Sequence, residues 1–229
     1  MPADPGVTGE VELTDYPRTM VVFRELNPGG GMTLWRRPEP GVLWRRPEQP
    51  HFYTIGARWS PEWSVAFVID RRGGGEQVAM YRHPCAPAEF AEIVMLLGRF
   101  YDMAFLVPEI NNTIFRDSLL RTKHPLERIY SRKRDPRGVG SGRPEYMGFE
   151  VTAATRSLAL QALADAIRGI GASITIRSQI ALDECRAFVS KPNGEIGRGR
   201  VSRRLRVGGR ARRVRSSVRA AAGTVLATD

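Results

Sequence analysis

Two hydrophobic periods divide the chain. Phe52 to Ala57, Ser64 to Asp70 and Glu76 to Arg82 carry the spacing of strands; in the second, Val65, Phe67 and Ile69 alternate with Ala66 and Val68. Arg71-Arg72-Gly73-Gly74-Gly75 supplies turn residues between the last two, which predicts an antiparallel meander. The period then changes to that of a helix opened by Pro87, with Phe90, Ile93, Val94 and Leu97 in one stripe. Met103 to Val107 is a run of apolar residues suited to a strand buried on both faces, and it ends abruptly in Pro108-Glu109-Ile110-Asn111-Asn112. A helix with Ile114, Phe115, Ser118 and Leu119 inward follows, then a short strand at Arg128-Ile129-Tyr130 and a loop or arm from Ser131 to Pro144. Tyr146 to Val151 reads as a strand, and a helix after Thr155 places Leu160, Leu163, Ala164 and Ile167 on one face. Ile174-Thr175-Ile176 is a further strand, before a helix through Ile180, Glu184, Ala187 and Phe188. The order β-β-β-α-β-α-β, with helices after it, predicts an α/β fold with a mixed sheet flanked by helices.

The ends of the chain differ from this core. Residues 1–50 are rich in Pro, Gly and Arg, which predicts an irregular segment. They hold a tandem repeat, Leu34-Trp35-Arg36-Arg37-Pro38-Glu39 and Leu43-Trp44-Arg45-Arg46-Pro47-Glu48. Two copies are too few for a solenoid; Trp beside Arg suits stacking on bases, and equally an edge strand or linker folded onto the domain. The net charge of +11 points to a polyanion partner, but from Glu195 to Asp229 ten arginines face two acids, a balance of +8. Residues 51–194 are therefore expected to form the folded domain, and 195–229 a disordered arginine-rich tail.

Other chemistries are disfavoured. Cys85 and Cys185 lack CxxC spacing, and the three histidines lie beside prolines with no second histidine at ligand spacing, so neither a disulfide framework nor a zinc site is expected. No apolar run is long enough for a membrane span, and Met1-Pro2-Ala3-Asp4 is unlike a signal peptide; a cytoplasmic protein without a membrane partner is the expectation. There is no GxxxxGK[ST] loop, hence no ATP site within this sequence.

Glu109 is the first candidate for chemistry, because a carboxylate just past the end of a buried strand sits at the rim where α/β sheets place their sites. The competing reading is an ordinary strand-to-helix turn, with Asn111 or Asn112 as N-cap. Within its surroundings the segment Phe52 to Ser190 resembles the ribonuclease-H-like nuclease domain of the large terminase subunit of tailed bacteriophages. The residues that carry the resemblance are Tyr53-Thr54-Ile55-Gly56-Ala57, Ser64 to Asp70, Pro108-Glu109-Ile110-Asn111-Asn112, Arg128-Ile129-Tyr130, Gly148-Phe149 with Thr152 to Arg156, and Glu184 to Val189 leading into Asn193-Gly194. It implies metal-dependent cleavage of double-stranded DNA during viral genome packaging in a bacterial host cell. Carboxylates would hold Mg2+ or Mn2+, and the partners would be a terminase motor, a small terminase subunit and the portal.

Only one of the three carboxylate positions matches, as Glu109. Arg58 stands where the first aspartate is expected, and a guanidinium cannot ligate a cation. Glu62 is close enough in sequence to serve as a substitute ligand, or is a surface turn residue. The last carboxylate segment should follow Phe188 to Gly194, where instead the arginine-rich tail begins. That tail reads as a phosphate-binding arm, a solvated tail, or an out-of-frame translation. Codons for Gly208 to Arg213, read one nucleotide later, can encode Ala-Gly-Ala-His-Asp followed by an acid. Phosphate contacts are expected from Arg132, Lys133, Arg134 and Arg156, with Thr155 the candidate N-cap of the helix that Arg156 opens. With two ligand positions missing, two functions remain: a terminase-type nuclease of weak or no activity, and a non-catalytic DNA-binding remnant of that fold.

Overall fold

The computed structural model describes residues 5–14, 20–26, 30–38, 52–72, 74–132, 146–171, 173–186, 188–190 and 196–198, of which 132, 146, 188–190 and 196–198 are described by backbone alone. In chain order the elements are β1 (Val7–Thr14), β2 (Met20–Glu25), β3 (Met32–Leu34), β4 (Tyr53–Arg58), β5 (Ser64–Asp70), β6 (Glu76–His83), α1 (Pro87–Phe100), β7 (Phe105–Pro108), α2 (Thr113–Arg121), β8 (Ser131–Arg132), β9 (Tyr146–Met147), α3 (Ala153–Arg168), α4 (Gln179–Arg186), β10 (Phe188–Ser190) and β11 (Ile196–Arg198). Seven strands form one mixed sheet in the order β2-β1-β3-β6-β5-β4-β7, with only β7 parallel to its neighbour β4.

Strand alternation sorts the core into two layers. Ala66 and Val68 of β5 pack with Phe90, Val94 and Leu97 of α1 and Phe115 and Leu119 of α2. Val65, Phe67 and Ile69 of the same strand pack with Leu160 and Leu163 of α3 and Ala181 of α4. Helices thus cover both faces of the central strands, which is why β5 is buried from end to end and shows no polar side.

The helix boundaries follow from local chemistry. Pro87 occupies the first turn of α1, where its missing N–H costs nothing, and the Ala86 N–H donates to the Glu89 carboxylate at 3.3 Å. Asn112 is the N-cap of α2, its side-chain oxygen accepting from the Phe115 N–H at 2.7 Å. Asn112→Ala is expected to lower stability by about 1 kcal/mol in urea unfolding, the usual worth of such a cap.

Several expectations are corrected. The N-terminal stretch expected to be irregular supplies β1, β2 and β3, since Val7, Val11 and Leu13 alternate with Thr8, Glu10, Glu12 and Thr14, a strand pattern hidden by the Pro- and Gly-rich average. Arg36 of the first Trp-Arg repeat is tied into the fold by ion pairs to buried Asp70 and, at 3.0 Å, to Glu76; the second repeat lies outside the described residues. In place of a strand at 128–130 there is a 3-10 turn at Leu126–Arg128 and a single parallel bridge from Ile129 to Leu106. Likewise Thr175 makes one bridge, to Glu76. Ile114, Ile167 and Ile180 are exposed because each helix turns a neighbouring stripe inward: Phe115 and Leu119 on α2, Ala159, Leu163 and Ala166 on α3, Ala181 and Glu184 on α4. Phe188 belongs to β10 rather than to the last helix, and β11 pairs with β10 inside the expected tail; residues 199–229 lie outside the described residues.

Candidate functional site

The carboxyl end of β7 lies beside that of β4. Ala57 is in register with Pro108, so the next residues, Arg58 and Glu109, are neighbours across the two parallel strands. The Glu109 N–H donates to the Ala57 carbonyl at 2.7 Å and prolongs the pairing by one step. By alternation, Glu109 points to the same face as Val107, and Arg58 to the same face as Thr54 and Gly56, the side covered by α3 and α4. Register also places Val65 of β5 opposite Arg58 and Arg82 of β6 opposite Val65. Glu109, Arg58, Val65 and Arg82 therefore form one row on one face of the sheet.

Within that row Arg58 Nε lies 3.1 Å from Glu109 Oε2, and the two side chains are only 16% and 13% exposed. The atoms approach without the alignment of a hydrogen bond, so the attraction is between charge and charge. Arg82 sits over the Trp63 ring at 4.0 Å, which holds the far end of the row against the β4–β5 turn. That turn is fixed further by the Trp59 indole, donating to the Cys85 carbonyl at 3.0 Å.

The chain after Glu109 is anchored by residues distant in sequence. Phe149 makes a parallel bridge to Glu109, and its N–H donates to the Pro108 carbonyl at 2.7 Å. The preceding Gly148 has φ of 102°, and a Cβ there would lie 2.1 Å from the Ile110 side chain, so this close crossing requires glycine. Asn111 completes the anchor with a pair of bonds, donating to the Val151 carbonyl at 3.0 Å and accepting from its N–H at 2.9 Å. The two asparagines thus divide the work, Asn112 capping α2 while Asn111 ties down the approach to α3.

The approach ends in Thr152, which is the N-cap of α3. Thr155, the cap expected from sequence, instead sits at the third helical position and returns a bond, its hydroxyl accepting from the Thr152 N–H at 2.8 Å while Thr152 Oγ1 accepts from the Thr155 N–H at 3.2 Å. Arg156 is exposed on the first turn of this helix, close in sequence to the anchor at Val151.

The structure brings few of the expected site residues together. Glu62 is exposed in the β4–β5 turn. Arg132 is described by its backbone in β8, and Lys133 and Arg134 lie outside the described residues. Among the described residues no group of three or more His, Cys, Asp or Glu side chains could hold a metal ion. Among the described residues a divalent metal does not fit the end of β7: Glu109 alone supplies too few oxygens, and a guanidinium already holds it. The resemblance already set Arg58 and Glu109 at two positions of one site; that they form an ion pair depends on the β4–β7 register, between residues some fifty positions apart. Two apolar strands with a charged residue at or just past the carboxyl end, Arg58 and Glu109, were the available signal.

No helix among the described residues is long and apolar enough to cross a membrane. No protein-family model matches the chain, and no curated protein matches it in sequence. Solved structures do match in fold. The chain is similar to the large terminase nuclease from thermophilic phage G20c with bound magnesium, with a TM-score of 0.57 and 15% identity, covering 97% of this chain and 93% of that one. The same nuclease with bound cobalt gives 0.57 and 15%, covering 98% and 94%. The large terminase nuclease domain of Thermus phage P74-26 gives 0.54 and 15%, covering 97% and 90%. The expected ribonuclease-H-like fold of terminase nucleases is thus borne out.

Proposed function

We propose that this chain is a terminase nuclease-type domain that engages double-stranded DNA of a phage or prophage during genome packaging, with its own hydrolytic activity weak or absent. The observation that carries the reading is the position of Glu109, at the carboxyl end of β7, within a fold shared over nearly the whole chain with phage terminase nucleases. The pairing of that carboxylate with Arg58 favours a DNA-binding domain without strong catalysis over an efficient Mg2+- or Mn2+-dependent nuclease. Arg156 supplies a phosphate contact at this end of the sheet, and Arg132 of β8, with Lys133 and Arg134 next to it in sequence, supplies others. Residues 51–194 form the nuclease-type unit, which β1–β3 extend at one sheet edge; the arginine-rich residues 195–229 add charge. A terminase motor, small subunit and portal are the partners such a domain serves, in the host cytoplasm.

The test is a supercoiled-plasmid assay with Mn2+ beside a binding titration on the full chain. Binding that weakens steeply with salt, with little or no nicking, is the expected result. Strong nicking abolished by Glu109→Ala would instead establish the efficient enzyme. Absence of DNA binding at low salt would remove the proposal altogether.

A further inference from the structure

We infer that Arg58 supplies at Glu109 the positive charge that a divalent cation supplies at a metal-dependent site, so that this end of the fold is complete without metal. Carboxylates gathered at the ends of adjacent strands repel one another and need a cation for cohesion. Here the cation is covalently built in: Arg58 Nε stands 3.1 Å from Glu109 Oε2, and both side chains are largely buried. The row has no second carboxylate to recruit a metal, since its other members are Val65 and Arg82, and Arg82 lies against Trp63. With two guanidinium groups, Arg58 and Arg82, to one carboxylate, this row carries no net negative charge to attract Mn2+. The carboxylate thereby becomes the anchor of Arg58, a positioning role.

The inference concerns the protein alone and does not depend on DNA binding. Its experiment is a Mn2+ titration of the full chain by calorimetry, with thermal melts in Mn2+ and in EDTA. The unaltered protein and its Glu109→Gln variant should give the same Mn2+ isotherm, and the melting temperature of the unaltered protein should not differ between Mn2+ and EDTA. Arg58→Asp would place two carboxylates on strands about 4.8 Å apart. It should raise Mn2+ affinity by at least about tenfold and make melting depend on Mn2+ concentration. Adding Glu109→Gln to that variant should abolish the gain.

If like-charge repulsion unfolds Arg58→Asp, Mn2+ should restore its far-ultraviolet circular dichroism, because binding then drives folding. Arg58→Lys, which keeps the charge, should remain indifferent to metal. Glu109-dependent Mn2+ binding by the unaltered protein would overturn the inference. So would an Arg58→Asp variant that neither binds Mn2+ nor is refolded by it.

Discussion

Glu109→Ala is expected to destabilise the protein by about 2–3 kcal/mol, somewhat below the 3–5 kcal/mol typical of breaking a fully buried ion pair. The reduction reflects the residual 16% and 13% exposure of the two side chains, through which water screens part of the loss. The sign is the informative part. A carboxylate held among other carboxylates for a metal is a source of repulsion when metal is absent, and its removal leaves stability unchanged or higher. Glu109 faces a guanidinium, so its removal strands Arg58 in a low-dielectric site with an uncompensated charge. Arg58→Met/Glu109→Leu should recover most of the loss, because two apolar side chains bury well on the face lined by Val65, Val107 and Phe149. Urea unfolding of the single and double variants gives the coupling energy directly.

Stability is expected to fall as pH drops from about 6.5 to about 4, through His124. Its ring is 3% exposed, in the link between α2 and the following 3-10 turn, and it packs so closely on α1 that a Cβ at Gly98 would lie 2.8 Å from the ring. Burial pulls the His124 pKa down to about 4, with Arg128 and Arg99 adding to the fall. The unfolded chain therefore binds a proton in this window that the folded chain does not. Stability is full above about pH 6.5, declines below it and levels off under about pH 4. The total is about 3 kcal/mol, with a slope of at most about 1.4 kcal/mol per pH unit. Because carboxylates also titrate here, the readout is a comparison: His124→Leu should flatten the dependence relative to the unaltered protein in urea unfolding at a series of pH values. Parallel curves for the two proteins would show that His124 does not titrate as its burial requires.

The sheet's central strands were legible because their two-sided burial leaves an unmistakable record: Val65, Phe67 and Ile69 for one layer, Ala66 and Val68 for the other. Pro87 and Asn112 marked their helices for equally local reasons, one lacking an N–H and the other offering a cap. Features set by long-range pairing were not legible. The alternation of Val7, Val11 and Leu13 is interrupted by Gly9, and β1 acquires its place through β3 and β6. Thr152 and Thr155 are both competent caps, and the bond from the Val151 N–H to Asn111 decides where the helix begins by fixing the chain just before it. Asp70 ended a strand with Arg72 two residues on as a local partner but with no local sign of Arg36, from the first Trp-Arg repeat, which also holds it at 1% exposure. The same limit applies to the site: Glu109 was legible as a rim carboxylate and Arg58 as an incompatible neighbour for metal. Their contact with one another is a property of register alone.

The central claim is that Arg58 fills the cation's place beside Glu109, and crystals of the full chain grown or soaked with Mn2+ test it most directly by anomalous scattering. The expected map shows the Arg58 guanidinium against the Glu109 carboxylate and no manganese peak within coordination distance of it. A manganese ion bound to Glu109, with Arg58 turned away, would contradict the account.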